Sequence, residues 1–198
     1  VASNGGTHTA WEDVALIREI PGAVICDPAD DVQMEWIIKE FLKMEGIHYV
    51  RSNRKAVRNV YKKGSSFKIG QGNILKEGKD ILIIAAGQLV SEALDCAEEL
   101  EKEGYSVEVI DMFTIKPLDE KLLIKEAKGK SKIVTIENHS IYGGLGSAVS
   151  EVIAENGISV PVKRIGVKEK FGQVGTAEFL QEEFGLTAKQ IKETICQF

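Results

Sequence analysis

Short apolar runs alternate with stretches of helical spacing along most of this chain. Residues 81–86 form a continuous apolar run, which is typical of a strand buried on both faces of a parallel sheet. Apolar residues then recur at helical spacing from Val90 to Leu100, and Gly104 ends the predicted helix. Because parallel strands need crossover helices, this alternation predicts an α/β fold with a mostly parallel sheet.

The same reasoning gives the remaining elements. Further strands are expected at residues 23–26, 47–50, 105–110 and 160–167, and from residue 133 onwards. Further helices are expected at residues 10–20, 32–44, 119–127, 177–184 and 188–196, and after the glycines near residue 144 as far as residue 155. Asp30 and Asp119 are candidate N-caps, and a loop is expected at residues 111–118.

Residues 52–80 differ from the rest, because lysines, arginines and glycines interrupt the apolar pattern. The basic run is typical of a solvated connection, although one of its arginines is also a candidate for binding an anion. We expect a short edge strand at residues 66–69. The chain then divides into an incomplete α/β unit at residues 1–63, a linker with that edge strand at residues 64–80, and a complete three-layer α/β/α domain at residues 81–198.

The chain is organised around residues 133–147, where a β-branched run turns polar at Glu137, Asn138 and His139 and three glycines follow. Glycine adopts positive φ and lets another backbone or a ligand approach closely. A phosphate-binding turn is one interpretation, but the dinucleotide fingerprint places its glycines after the first strand of the unit, where only Gly87 stands. The pattern therefore favours a tight strand-to-helix turn that packs against a partner.

Composition and charge narrow the functional classes. The chain has 198 residues, of which 43% are hydrophobic, and its formal net charge of −5 gives no reason to expect nucleic acid. It contains neither a run of 18 apolar residues nor a signal peptide, so no membrane segment is predicted. Cys26, Cys96 and Cys196 form no metal spacing and no disulfide framework, which fits a reducing cytoplasm. The first residue is not Met, which indicates that sequence is missing upstream.

The three histidines differ in their surroundings. His48 begins a short predicted strand and His139 ends one, and both are expected to be structural, since no metal-binding pair accompanies them. His8 follows Thr7 in a glycine-containing loop, directly before an acidic helix start. A loop histidine held by a scaffold can donate to a substrate oxygen or transfer a proton near neutral pH. His8 is thus open to a catalytic role, with a purely structural loop position as the alternative that the residues by themselves favour.

Several segments together resemble the C-terminal part of transketolases, in particular the separate C-terminal subunit of split transketolases. The likeness covers nearly the whole chain. The matching segments are Gly5-Gly6-Thr7-His8 with Glu12-Asp13, Ile20-Pro21-Gly22, Pro28-Ala29-Asp30, Tyr49-Val50-Arg51-Ser52-Asn53-Arg54, Ile110 to Asp119, and Glu137 to Gly146.

This resemblance implies an enzyme that moves a two-carbon ketol unit between sugar phosphates with thiamine diphosphate and Mg²⁺. It implies a pyrimidine-binding domain, of which residues 1–63 would be the end, followed by the transketolase C-terminal domain. It carries His8 onto the histidine that contacts the donor hydroxyls, Arg54 onto the arginine that binds the substrate phosphate, and Asn4 onto a substrate-binding position. It also implies an N-terminal transketolase subunit as partner, a homo- or hetero-oligomer, a cytoplasmic location and the pentose phosphate pathway. The chain alone is expected to be inactive and to bind neither cofactor fully.

Two departures bear on the substrate. The family's aspartate before the glycine is Asn4 here, and the glutamine after the histidine is Thr9. Asparagine can both donate and accept hydrogen bonds, whereas an ionised aspartate only accepts. The resemblance therefore leaves open which sugar phosphate is used.

Alternatives remain at this stage. Deoxyxylulose-phosphate synthase and the beta subunits of 2-oxoacid dehydrogenases share the motifs of the C-terminal domain, although Thr7-His8 with Glu12-Asp13 favours transketolase. A non-catalytic module that builds a dimer interface is the alternative from another class. A nucleotide-binding α/β protein is disfavoured by the missing glycine fingerprint.

Overall fold

The computed structural model describes residues 9–53 and 56–198. Its helices are α1 (Asp13–Arg18), α2 (Asp31–Phe41), α3 (Val90–Lys102), α4 (Glu120–Glu126), α5 (Leu145–Glu155), α6 (Ala177–Glu183) and α7 (Ala188–Gln197). Its strands are β1 (Val24–Cys26), β2 (His48–Val50), β3 (Asn73–Lys76), β4 (Ile81–Ala85), β5 (Val107–Asp111), β6 (Thr114–Lys116), β7 (Lys132–Ser140) and β8 (Val162–Val167). We call α1 to β2 the first unit and β3 to α7 the second unit.

The second unit is built on a five-stranded sheet in the order β3-β5-β4-β7-β8. Strands β5, β4, β7 and β8 are parallel, and β3 is an antiparallel edge strand. Successive residues of β4 point to opposite faces. Ile81 and Ile83 pack in the cluster that contains α3 and α7, whereas Leu82 and Ile84 pack in the cluster that contains α4 and α5. These two clusters give the three-layer α/β/α architecture that the sequence predicts.

The edge strand lies elsewhere than expected. The prediction of a strand at residues 66–69 is wrong, because β3 occupies Asn73–Lys76 and pairs with β5. Phe67 and Ile69 instead pack against Trp36 and Phe113, and the ring centroids of Phe67 and Trp36 lie 5.6 Å apart. Burial of these apolar side chains thus ties the linker to the first unit.

The smaller sheet has the order β2-β1-β6 and joins the two units. β1 and β2 are parallel, and β6, which belongs to the second unit, pairs antiparallel with β1. The prediction of a loop at residues 111–118 is therefore wrong at Thr114–Lys116, which form β6. Ile115 packs with Val14 and Ile25, so burial in the first unit explains why this segment is extended.

The capping predictions are confirmed. The side chain of Asp30 accepts a hydrogen bond from the Gln33 amide at the start of α2, and that of Asp119 accepts one from the Leu122 amide at the start of α4. Helix α1 is shorter than expected, because the segment before Asp13 is a loop that is bonded to β7 through the Trp11 carbonyl. No helix in the described part of the chain has the length and apolar character needed to cross a membrane.

Candidate active site at the junction of the two units

A cleft of about 890 Å³ lies between the two units. One wall comes from Thr9 to Trp11 and from the end of β2 with the residues that follow it. The opposite wall comes from the beginning of α3, the turn that precedes it, and α6. Concave sites at the boundary between domains are common locations for ligands, so this cleft is the candidate active site.

Asn4, His8 and Arg54, the three residues assigned to substrate, lie outside the described residues. Their sequence neighbours are described. Thr9 follows His8 and Asn53 precedes Arg54, and both Thr9 and Asn53 line the cleft. Two separate segments that adjoin His8 and Arg54 in sequence therefore reach the walls of one cleft.

A buried ionic network underlies the wall formed by the first unit. Arg51, whose side chain is 13% exposed, donates from Nε to Asp13 Oδ2 at 2.9 Å and from Nη1 to Asp27 Oδ2 at 3.0 Å. The Tyr49 hydroxyl donates to the same oxygen of Asp13 at 2.8 Å. Burial and this hydrogen bond raise the pKa of Tyr49 to about 12, so the phenol remains a donor at neutral pH. Arg51 thus neutralises one of two buried carboxylates that would otherwise repel each other.

The strand topology explains why these charges meet. Asp27 and Arg51 directly follow the parallel neighbours β1 and β2, so their side chains emerge at the same edge of the small sheet. Asp13 is in the first turn of α1, where an acidic residue interacts favourably with the helix dipole. Sequence reasoning assigned no role to this network. The sequence signal that could have indicated an ion pair was the acidic residue after β1, Asp27, together with the basic residue after β2, Arg51.

His139 is 1% exposed and lies behind the cleft wall. Its Nδ1 donates to the Ser140 carbonyl at 2.7 Å, and its Nε2 lies 3.8 Å from Asp13 Oδ1. Burial lowers the pKa of His139, so the ring is neutral at neutral pH. His48 stacks on Phe41 with a centroid separation of 4.8 Å. Both histidines occupy packed positions, as the sequence suggested.

The glycine turn is occupied by a carboxylate of the chain itself. Glu137 accepts hydrogen bonds from the amides of Leu145 and Gly146 at 2.7 and 2.8 Å, at the N-terminus of α5. A Cβ at Gly144 would overlap this carboxylate, and a Cβ at Gly143, whose φ is +75°, would collide with Ala15 of α1. An external phosphate cannot use these two amides while Glu137 holds them. The turn therefore packs β7 against α5 and against the first unit.

A second buried carboxylate holds the segment that follows residue 55. Asp111 Oδ2 accepts from Gln33 Nε2 at 2.7 Å and from the Tyr61 hydroxyl at 2.6 Å. The amides of Val60 and Tyr61 donate to Asp30 Oδ2 at 2.8 and 2.7 Å. Burial raises the pKa of Asp111 to about 7, from an ordinary value of 3.8. The segment beyond the cleft is therefore bonded to α2 and to the large sheet.

The raised pKa of Asp111 predicts a pH-dependent stability. In the folded protein Asp111 retains its proton up to about pH 7, whereas the unfolded chain loses it near pH 4. The contribution of protonated Asp111 to the free energy of unfolding is thus fully present below pH 4. It is lost as the pH rises through about 7, with a slope of about 1.4 kcal/mol per pH unit. Burial also raises the pKa of Glu137 to about 7, so both groups act in the same window.

Asp111→Asn should therefore make the fall in the free energy of unfolding between pH 4 and pH 7 shallower, by up to about 1.4 kcal/mol per pH unit. Urea unfolding at several pH values measures this slope. Glu151→Gln, which changes an exposed carboxylate on α5, is the control and should keep the wild-type slope. An unchanged slope in Asp111→Asn would contradict the assignment.

Metal ligation is not provided by the part of the chain described. Residues 9–53 and 56–198 contain no group of three or more His, Cys, Asp or Glu side chains that could hold a metal ion. The polar residues of the cleft, such as Ser52, Asn53, Gln88 and Asn138, are instead suited to hydrogen bonds with a hydroxylated ligand.

Comparison with known proteins gives consistent results. The family model described as "Transketolase, C-terminal domain" matches residues 70–191. A 6-deoxy-6-sulfo-D-fructose transketolase subunit, SqwH, of Clostridium sp. (strain MSTE9) is 42% identical over 188 residues, which are 95% of this chain and 58% of the relative. A putative transketolase C-terminal section of Methanocaldococcus jannaschii is 40% identical over 199 residues, which are 100% of this chain and 62% of the relative.

A solved structure described as "Split gene transketolase, inactive beta4 tetramer" superposes with a TM-score of 0.89 at 40% identity. The match covers 97% of this chain and 62% of that one. The chain spans about three fifths of the length of these relatives. These similarities show that the chain belongs to the transketolase family, in which it corresponds to a C-terminal section that includes the transketolase C-terminal domain.

Proposed function

We propose that this chain is the C-terminal part of a transketolase that transfers a two-carbon ketol unit between sugar phosphates with thiamine diphosphate. One observation carries the proposal. The described neighbours of His8 and Arg54, namely Thr9 and Asn53, line the same cleft between the two units. A substrate in this cleft would therefore be close to both segments that the family resemblance assigns to substrate.

His8 and Arg54 have complementary tasks in this proposal. The imidazole of His8 hydrogen-bonds the donor hydroxyls and stabilises charge that develops on their oxygens. The guanidinium of Arg54 pairs with two oxygens of a terminal anion, a geometry that a planar fork provides. Asn4 contacts a further hydroxyl as donor or acceptor. Together they orient the sugar with its anionic end away from the reacting carbon.

The names of relatives support an anionic sugar as substrate. The Clostridium relative is named for 6-deoxy-6-sulfo-D-fructose, and a relative from Phocaeicola vulgatus, 35% identical over 195 residues, is named for apulose 4-phosphate. Sulfonate and phosphate are both tetrahedral anionic groups, and their oxygens can pair with a cationic side chain. We propose a phosphorylated sugar for this chain, with the pentose phosphate pathway and the cytoplasm as its setting.

Thiamine diphosphate, when bound, would act as the electron sink for negative charge that develops on the transferred two-carbon unit. The described residues offer no metal site for its diphosphate. The proposal therefore assigns Mg²⁺ and the diphosphate to an N-terminal subunit. This chain contributes the binding and orientation of the sugar.

The surface of the first unit also supports association of this chain with another protein. This unit exposes apolar side chains on its helices and beside its edge strand, namely Leu16, Ile38, Leu42 and Ile47. Exposed apolar surface of this kind favours contact with another protein surface. The solved relative is described as a tetramer of beta chains and as inactive, which supports a chain that is inactive without its partner.

Arg54→Ala should raise KM for phosphorylated substrates in the assembled enzyme. Loss of one hydrogen bond to a charged group costs about 1.5–3 kcal/mol, which corresponds to roughly 10- to 150-fold. Steady-state kinetics with matched phosphorylated and unphosphorylated sugars measure this effect. The unphosphorylated sugars should be nearly unaffected, and an equal change for both would argue against a phosphate contact.

Calorimetric titration with thiamine diphosphate and Mg²⁺ tests the shared site. The isolated chain should give no saturable binding. A form of the chain extended at its N-terminus to the length of its relatives should bind the cofactor when it is mixed with an N-terminal transketolase subunit. Tight binding by the isolated chain would show that the active site has been misplaced.

A different enzyme of the same cofactor class is the second candidate. A 1-deoxy-D-xylulose-5-phosphate synthase of Heliobacterium modesticaldum is 34% identical over 194 residues, although these are only 30% of its length. A ketose phosphate donor and a 2-oxoacid donor, assayed side by side with the assembled enzyme, separate the two candidates. Turnover of the ketose phosphate alone supports transketolase.

A further inference from the structure

Arg51 connects the two segments that lead to His8 and to Arg54. Its Nη2 donates to the Ala10 carbonyl at 3.2 Å, in addition to its bonds with Asp13 and Asp27. Ala10 stands two residues after His8, and Arg51 stands three residues before Arg54. One side chain in the cleft wall therefore links both segments.

The three hydrogen-bond acceptors of Arg51 lie in three different parts of the chain. Asp13 belongs to α1, Asp27 follows β1, and Ala10 lies in the loop before α1. A guanidinium presents its donors in a rigid plane, so three acceptors in fixed directions determine its orientation. Lysine has a flexible stem and a single ammonium, and it cannot satisfy the three acceptors in the same plane.

A second bond holds the same loop from the other side. The Ser140 amide at the end of β7 donates to the Trp11 carbonyl at 2.7 Å. The loop at Ala10 and Trp11 is thus held between Arg51 of the first unit and β7 of the second unit. Loss of either bond would free the loop that continues from His8.

We propose that Arg51 is a positioning residue for ketol transfer, which fixes the loop at Ala10 and Trp11, next in sequence to His8, relative to the end of β2, next in sequence to Arg54. This inference rests on the function proposed above. Reactions of this kind depend on the placement of groups around the substrate, and a misplacement of about 1 Å can cost on the order of 100-fold in rate.

Arg18 provides a comparison, because it is another arginine of the first unit whose side chain is largely buried and forms an ion pair. Its side chain is 19% exposed, and it donates to the Gly143 carbonyl at 3.0 Å and pairs with Glu151 of α5. It does not line the cleft, and no hydrogen bond of Arg18 to the loop at residues 9–12 is present in the described structure. A purely structural role for Arg51 predicts similar consequences for both arginines.

The test compares Arg51→Ala, Arg51→Lys and Arg18→Ala in the enzyme assembled with its N-terminal subunit. Arg51→Ala should lower kcat by about 100-fold while the Kd for thiamine diphosphate stays within twofold. Arg51→Lys should remain impaired, and guanidinium ion at low millimolar concentration should restore part of the activity of Arg51→Ala. Arg18→Ala should keep kcat within twofold. Equal losses in Arg51→Ala and Arg18→Ala, or a loss in Arg51→Ala without rescue by guanidinium, would overturn the inference.

Hydrogen exchange of this chain by itself gives a readout that does not need turnover. Arg51→Ala should increase exchange at the Ser140 amide by tenfold or more, because the loop that supplies its acceptor is released. Arg18→Ala should leave exchange at Ser140 at the wild-type rate. Unchanged exchange in Arg51→Ala would show that Arg51 does not hold the loop. If the assembled wild-type enzyme lacks ketol transfer, the proposed function fails, whereas this exchange result still decides whether Arg51 anchors the loop.

Discussion

Replacement of His8 by alanine in the assembled enzyme is expected to lower kcat by about 100- to 10,000-fold. This range is typical for the loss of a side chain that transfers a proton to or from the reacting group in the transition state. Thiamine diphosphate should still bind with its wild-type Kd, because the proposal places the cofactor's diphosphate and metal on the partner. Steady-state kinetics combined with calorimetry measure the two quantities separately.

His48 supplies the control for this prediction. It is a histidine of the first unit that stacks on Phe41 and does not line the cleft. His48→Ala should keep kcat within about twofold once the folded fraction is taken into account. Wild-type turnover in His8→Ala would reduce His8 to an ordinary loop residue and would remove the main chemical role proposed for this chain.

Glu137→Ala is expected to lower the free energy of unfolding by about 3–6 kcal/mol. The carboxylate accepts two hydrogen bonds from buried amides at the start of α5, and each such amide left without a partner costs about 1–3 kcal/mol. Deletion of the side chain would also leave a cavity beside Gly144. Urea unfolding followed by circular dichroism measures the loss.

Glu151→Ala is the matched variant on the same helix. Glu151 is 53% exposed and pairs with Arg18 at the surface, so its loss should cost only about 0–1 kcal/mol. A similar small cost in Glu137→Ala would mean that the N-terminus of α5 finds other acceptors. That outcome would contradict the assignment of Glu137 as the group that occupies the glycine turn.

The larger sheet was predictable because its signal is local. The run at residues 81–86 is apolar at every position, and such a run is expected when both faces of a strand are covered by helices. Glycines and capping aspartates marked the helix ends for the same reason, since their effect acts within one turn. Asp119 is an example in which residue type and spacing sufficed.

The junction of the two units was not predictable in this way. β6 lies in a segment with a proline and several polar residues, and it is a strand only because β1, distant in the sequence, supplies the hydrogen bonds. Phe67 likewise gave no local sign that it would pack on Trp36 instead of forming an edge strand. Such contacts depend on tertiary packing, which overrides local preference.

The candidate site likewise combines residues that could be identified from the sequence with residues that only the fold brings together. His8, Asn4 and Arg54 were identified by family resemblance, and their assignment stays a prediction because they lie outside the described residues. Arg51 was visible only as one member of a basic run. Its partners Asp13 and Asp27 are 38 and 24 residues away in sequence, so only the fold brings the three charges together.

This chain is expected to complete a ketol-transfer site only together with its partner. The most direct measurement is a transfer assay with thiamine diphosphate, Mg²⁺, a ketose phosphate donor and an aldose phosphate acceptor. It compares the isolated chain, an N-terminal transketolase subunit, and their mixture, in which this chain is extended at its N-terminus to the length of its relatives. Turnover is expected in the mixture and in neither component alone. Turnover by the isolated chain, or none in a mixture that binds the cofactor, would contradict this expectation.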